Sequence, residues 1–267
     1  MKPVYIASLC TLVLCAILPL SGCSASTSTV TVTVTPTNAI TAGSPSTGSG
    51  NPPSGPGGGM PVTDTPTPLP AVEGNGPIIQ LPAPVLTGNV SVEEALADRR
   101  SVRQFAETPI TLEQLSQLLW AGQGITSDDG KRTAPSAMKS YPLTLYVAAY
   151  NVTGLDSGIY QYVSDGHALL QIRSGDVKAN MGTKNNSVAD IVIVDDFTKL
   201  TEKVGDIGER FAILEAGHAA QNICLEATAL NLGTVTAAGF QEASIRNVLG
   251  LTDNLTIVYL MPVGNMP

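Results

Sequence analysis

The chain has 267 residues, with 14 Lys and Arg against 22 Asp and Glu and a net charge of −8; this acid excess disfavours a general nucleic-acid or anionic-lipid surface. Of its four cysteines only Cys224 lies beyond residue 23, which leaves no partner for an intrachain disulfide in the body. Its two histidines, His167 and His218, have no carboxylate or second histidine at ligand spacing beside them, so a protein-bound catalytic metal is disfavoured too.

Lys2, the uncharged apolar run from Val4 to Leu20, and the closing Leu20-Ser21-Gly22-Cys23 resemble a bacterial or archaeal lipoprotein signal. On that reading residues 1–23 are the signal and Cys23 carries the lipid. The rest of the chain is then tethered to the outer side of the cell membrane. An uncleaved membrane anchor is the alternative. Residues 24–85 are dominated by Thr, Ser, Pro, Gly and Val, from Thr29-Val30-Thr31-Val32 to Gly57-Gly58-Gly59. Such a composition cannot bury enough apolar surface to offset chain entropy, which predicts a disordered stalk. Residues 86–267 have the composition and size of one ordinary domain.

Ser91-Val92-Glu93-Glu94 reads as a capping box, starting a helix that runs through Ala95-Leu96-Ala97 to the arginines. The run Arg99-Arg100-Ser101-Val102-Arg103-Gln104-Phe105 follows a long stretch without Lys, Arg or aromatic residues. Its three guanidiniums are either a solvated basic helix end or a small-anion site, since the guanidinium fork fits phosphate oxygens. The acidic background favours the second reading. Thr111-Leu112-Glu113-Gln114 starts a second helix with Leu115, Leu118, Leu119 and Trp120 on one face, ending near Gly122. The loop from Arg132 to Pro142 combines two prolines, small residues and hydroxyls, which let backbone approach a flat ligand closely. Taken alone, Ser136 and Ser140 are ordinary turn residues and Lys139 a surface lysine.

Leu143 to Tyr150 reads as a buried strand, Gly158 to Tyr162 with Ala168 to Ile172 as a hairpin, and Val188 to Val194 as another strand. Glu209 to Leu232 reads as one Ala-rich helix in which Cys224 is a buried, inert thiol. Gly217, Ala219 and Ala220 make it narrow enough for close helix contact. Leu255 to Val263 is a terminal strand. Strands interleaved with helices around one sheet predict an α+β domain. No Gly-x-Gly-x-x-Gly follows a strand, so a Rossmann nucleotide site is not supported.

The Arg-Arg-Ser-x-Arg-x-Phe run and the Pro135-Ser136-Ala137 loop resemble the flavin-binding segments of the nitroreductase family. Gly154-Leu155-Asp156-Ser157-Gly158-Ile159-Tyr160-Gln161-Tyr162 with His167-Ala168-Leu169 is similar to a segment of its SagB-type (thiazole/oxazole dehydrogenase) branch. Glu215 to Asn222 through Leu232-Gly233-Thr234 resembles the family's central helix. Ala238-Gly239-Phe240 and Pro262-Val263-Gly264 resemble its late flavin loop and last strand.

The resemblance implies an α+β nitroreductase-like fold, a mixed central sheet flanked by helices, and a homodimer binding FMN at each subunit interface. Arg99, Arg100, Ser101 and Arg103 would hold the phosphate and ribityl chain or face the flavin's pyrimidine edge. Pro135, Ser136, Ala137 and Lys139 would line the ring, and Ala238 and Gly239 would present backbone groups near its reactive side. Met138 stands where the branch usually has glycine, and Lys139 where many members have Asn. Flavin carries the hydride chemistry, so no protein acid or nucleophile is required and no catalytic side chain is assigned. The expected activity is ping-pong hydride transfer between FMN and a small organic electron donor or acceptor. Nicotinamides are scarce outside the cytoplasm, which points to a membrane quinol or a redox protein as donor. The alternative is a surface lipoprotein that binds flavin or another planar anionic ligand without turnover.

Overall fold

The computed structural model describes residues 76–267. The signal, Cys23 and the stalk as far as residue 75 lie outside the described residues. In chain order the elements are β1 (Ile78–Gln80), α1 (Val92–Asp98), β2 (Ile110–Thr111), α2 (Leu112–Gln123), β3 (Leu143–Ala149), β4 (Val152–Thr153), β5 (Gly158–Val163) and β6 (Ala168–Ser174). They continue with β7 (Ala189–Asp195), α3 (Thr198–Val204), α4 (Ile207–Ala229), β8 (Leu232–Thr234), α5 (Glu242–Leu249) and β9 (Thr256–Asn265).

Seven strands form one sheet in the order β1-β6-β5-β3-β7-β9-β8. Its ladders are antiparallel, and the mixed character enters where Ser101 bridges Thr234 in parallel at the β8 edge. The two-stranded β2–β4 pair is parallel as well. The centre of the sheet is buried on both faces, and the side chains alternate between two cores. Leu145, Val147 and Ala149 of β3, with Ala189, Ile191 and Ile193 of β7, pack under α2 and α4. Tyr146 and Ala148 of β3, with Val192 and Val194 of β7, pack against Ile245, Val248 and Leu249 of α5 and against Val177 and Met181.

Both anticipated capping boxes form: Ser91 and Thr111 each accept from the third residue of the helix, and Glu94 and Gln114 reach back to the cap amide. Helix α4 lays Ala212, Ala216, Ala219, Ala220, Ile223 and Ala227 against the sheet. These small side chains bring its backbone close. The helix stops at Ala229, because Leu232–Thr234 leaves to pair with β9 as β8.

The body begins before residue 86. Ile78–Gln80 pairs with β6, opposite Leu170, Leu169 and Ala168, and Leu81 is buried. A three-residue strand between Gly76-Pro77 and Pro82 has too little periodicity to stand out from a Pro- and Gly-rich spacer. What holds it is backbone pairing together with the Leu81 amide, which donates to His167 O at 3.2 Å. His167 is the hub of this strap: its Nδ1 lies 2.8 Å from Tyr162 Oη, and its Nε2 lies 2.8 Å from Ser116 Oγ and 3.0 Å from Pro82 O.

Candidate active site

The arginine run enters as an extended segment where α1 ends. Val102 N–H donates to Thr234 O at 3.0 Å and Ala106 N–H to Asn265 O at 3.0 Å. Val102 and Phe105 are seated on two glycines of the sheet edge: a Cβ at Gly233 would lie 2.6 Å from Val102 Cγ1, and one at Gly264 would lie 2.8 Å from Phe105 Cβ. Any side chain there would push the run off the sheet. Asn186 then clasps Phe105 from the other side. Its Oδ1 accepts from Phe105 N at 3.0 Å, and its Nδ2 donates to Phe105 O.

This seating divides the three arginines. Arg100 donates from Nη1 to Ala97 O and Arg99 O, both at 2.8 Å, and so satisfies orphan carbonyls at the C-terminus of α1. It lines a cavity of about 370 Å³ with Asp98, Val102, Thr228 and Asn231. Arg99 is half-buried, and its charge favours the thiolate of the buried Cys224, whose pKa burial raises. Arg103 is exposed and lines a different cavity, of about 470 Å³, together with Gln104, Lys184, Asn185, Gly239 and Pro262.

Gly239 lines that larger cavity, and Ala238 precedes it on the same loop. The loop is stapled by the reciprocal bonds Ala237 N–H to Leu260 O and Leu260 N–H to Ala237 O, each 2.9 Å. Beyond the staple both residues are exposed, open space surrounds the Cα of Gly239, and neither amide donates a hydrogen bond among the described residues. Two free backbone donors beside two cations make a site for an anionic or carbonyl-bearing ligand.

The Arg132–Pro142 loop is anchored separately. Thr133 N–H donates to Gly124 O at 2.9 Å, Thr133 Oγ to Trp120 O at 3.1 Å, and Asn222 Nδ2 to Thr133 O at 3.2 Å. Ser136 Oγ accepts from Tyr141 N at 2.8 Å. Pro135 is exposed and Ala137 half-buried at the turn. The Lys139 ammonium pairs with Asp129 at 2.9 Å, so its charge is partly committed within the loop; the Ser127 hydroxyl, with Lys139 and Lys131, holds the Asp129 carboxyl well below the usual range. Met138, Lys139 and Tyr141 all have left-handed φ, at 52°, 52° and 44°. Such backbone is costly for non-glycine residues and gathers at ligand sites. Met138 thus occupies a conformation that suits glycine.

Behind this loop lies a polar cluster that the sequence did not single out. Arg132 donates from Nη1 to Gln123 Oε1 at 2.7 Å and stacks 4.5 Å from the Tyr141 ring centroid. Glu215 of α4 and Asp195 of β7 are almost fully buried. Burial raises the Glu215 carboxyl to about 7 against the opposing pull of Ser136, Arg132 and Gln123. Burial also raises Asp195 to about 7, with the Glu215 charge adding to it. In the sequence Glu215 is one polar residue in an Ala-rich helix, and nothing local marks it as buried.

A sheet with antiparallel ladders beneath a 23-residue helix, with open amides and cations near its β8–β9 edge, defines an α+β scaffold with a candidate anion site. Residues 96–265 match the nitroreductase family model, and the chain belongs to the nitroreductase family. It is 36% identical over 182 residues to the nitroreductase-like protein MJ1384 of Methanocaldococcus jannaschii, a match spanning 66% of this chain and 91% of that protein. The fold superposes on a nitroreductase-like crystal structure from Ralstonia eutropha JMP134 with a TM-score of 0.65 and 27% identity, covering 76% of this chain and 96% of that one. A chain of the E. coli microcin synthetase McbBCD complex, solved with truncated pro-MccB17 bound, shares the fold at a TM-score of 0.56 and 18% identity, over 73% of this chain and 79% of that one.

Proposed function

We propose that the protein is an FMN-dependent oxidoreductase of the SagB-type branch of this family. On this reading it works as a homodimer tethered to the outer side of the cell membrane through a lipid on Cys23. One observation carries the proposal: a cavity of about 470 Å³ lined by Arg103, Lys184 and the open Gly239, with no Asp or Glu among its lining residues. In a chain of net charge −8, an unneutralised cation pair beside free amides is the environment a flavin requires. The volume lies within the usual range for small-ligand sites.

Arg103, Lys184 and the amides of Ala238 and Gly239 would hold the flavin at this cavity. Arg99, Arg100 and Ser101 continue the same segment toward α1, and Pro135, Ser136 and Ala137 would bound the ring from the other loop. When bound, FMN supplies hydride acceptance and donation. The chain's own residues bind it, orient it and favour negative charge at its edge by electrostatic preorganisation. Lys139, held by Asp129, would steady the loop more than it charges the ring.

The homodimer rests on α4. Ile213 is 49% and Leu214 52% exposed, and open space surrounds Gly217. A second copy of this helix would cover that apolar strip. The Gly154–Tyr162 and His167–Leu169 segments support the SagB-type branch, and an outer location, once adopted, makes a quinol or redox protein the fitting donor. The reading is tested by the visible spectrum of the purified protein after FMN addition and desalting. Retained absorbance near the flavin maxima, bleached by dithionite and restored by an added quinone, is the expected result. A colourless protein would overturn the proposal.

A further inference from the structure

A groove separate from the Arg103 cavity runs between the strap after β1, α1, α2 and the end of α4. It consists of two cavities, of about 490 and 240 Å³, that share Val90, Trp120, Glu226 and Ala229. None of their lining residues lines the Arg103 cavity. The larger one has the volume of a small-ligand site. Apolar side chains stand open around the groove: Val85 is 64%, Leu86 76% and Val92 65% exposed.

The wall is fixed from two sides. Gln117 of α2 clasps the strap, its Oε1 accepting from Val85 N at 2.9 Å and its Nε2 donating to Val85 O at 3.0 Å. Trp120, the only tryptophan of the chain, lies against Gly124, where a Cβ would stand 2.1 Å from the indole Cδ1. The glycine therefore sets the position of the indole, which lines both cavities.

Charge on this wall is one-sided. No Lys, Arg or His lines either cavity, whereas Glu226 lines both and Glu113 the larger. Glu113 stands in the first turn of α2, where the positive end of the helix dipole suits a carboxylate. Glu226 stands in the last turn of α4, which carries no basic residue, so it faces the negative end of its own helix. It is half-buried and forms no ion pair among the described residues. Burial raises its carboxyl against the opposing pull of Gln117. Helix end, burial and the lack of a cation all call for a positive charge at Glu226, and an indole attracts one as well.

We infer that this groove binds a small organic ammonium compound, with its charged nitrogen at Glu226 and Trp120 and its apolar body along Val85, Leu86 and Leu230. A primary ammonium donates hydrogen bonds that the half-buried carboxylate accepts. A neutral or anionic ligand of the same shape would leave the Glu226 charge unanswered. Nothing in this assignment depends on bound FMN.

The single tryptophan makes the groove directly readable. Trp120 emission of the full-length protein is followed near neutral pH during titration with phenethylamine, with phenethyl alcohol and hydrocinnamate as the neutral and anionic counterparts. The amine should change the emission saturably and bind about tenfold more tightly than the alcohol, and hydrocinnamate should give no saturable change. Glu226→Gln, which keeps the size of the side chain, should weaken the amine about tenfold and leave the alcohol unchanged. The absence of a saturable response to the amine, as when a second copy of the chain covers the groove, would overturn the inference. Equal affinities for amine and alcohol, or an amine affinity unmoved by Glu226→Gln, would overturn it too.

Discussion

At the scale of single residues, the buried carboxyls behind the loop dictate how the protein responds to pH. Glu215 and Asp195 are held near 7 by burial, while in the unfolded chain they titrate in the ordinary carboxylate range. Between those limits the native state binds more protons than the unfolded state, so stability falls as pH rises from about 4.5 to about 7. Glu215→Gln removes one of these protons and the repulsion it exerts on Asp195. Urea unfolding at pH 5 and pH 8 should show the variant gaining on the unsubstituted protein at pH 8; parallel behaviour at both pH values would contradict this account. The arginines show how far single residues were legible in the sequence. Three guanidiniums within five positions announce anion chemistry. Only the seating of Val102 and Phe105 on Gly233 and Gly264 decides that Arg103 faces the Gly239 cavity while Arg100 turns to the end of α1. That seating depends on close contacts between distant segments, which local spacing cannot express.

At the scale of elements, helices with caps and long strands were readable because their signals are local: an acceptor at the cap, a Glu or Gln three residues on, and a buried apolar run. The short elements were not. β1 is legible only through its pairing with β6, and α5 lies in a polar stretch where Ile245, Val248 and Leu249 alone mark the buried face. The 182–187 segment is the clearest case, since its Asn186 reads as an ordinary loop residue and yet joins two segments that line the candidate site. Asn186→Ala would leave the Phe105 N–H and C=O without their side-chain partner, at a cost of about 1–3 kcal/mol. Chemical denaturation should therefore show a lower unfolding midpoint with an unchanged slope. A midpoint equal to that of the unsubstituted protein would mean that the clasp contributes nothing to folding.

At the scale of the whole molecule, the proposed function asks the body to pair with a second copy. The body is built outward from β3 and β7, with α2 and α4 on one face and α5 on the other, and the site lies at the β8–β9 edge. The apolar strip of α4 at Ile213 and Leu214 is the proposed seam between subunits. Leu214→Glu, which would bury a charge there, should shift the mass measured by light scattering from two chains to one; a dimer that survives it would place the seam elsewhere. The central claim is that the Arg103–Lys184–Gly239 cavity of each chain takes one FMN. Calorimetric titration of the full protein with FMN tests it most directly: saturable heat with one site per chain, much weakened by Arg103→Met, is the predicted result, and the absence of any binding heat from the folded protein would contradict it.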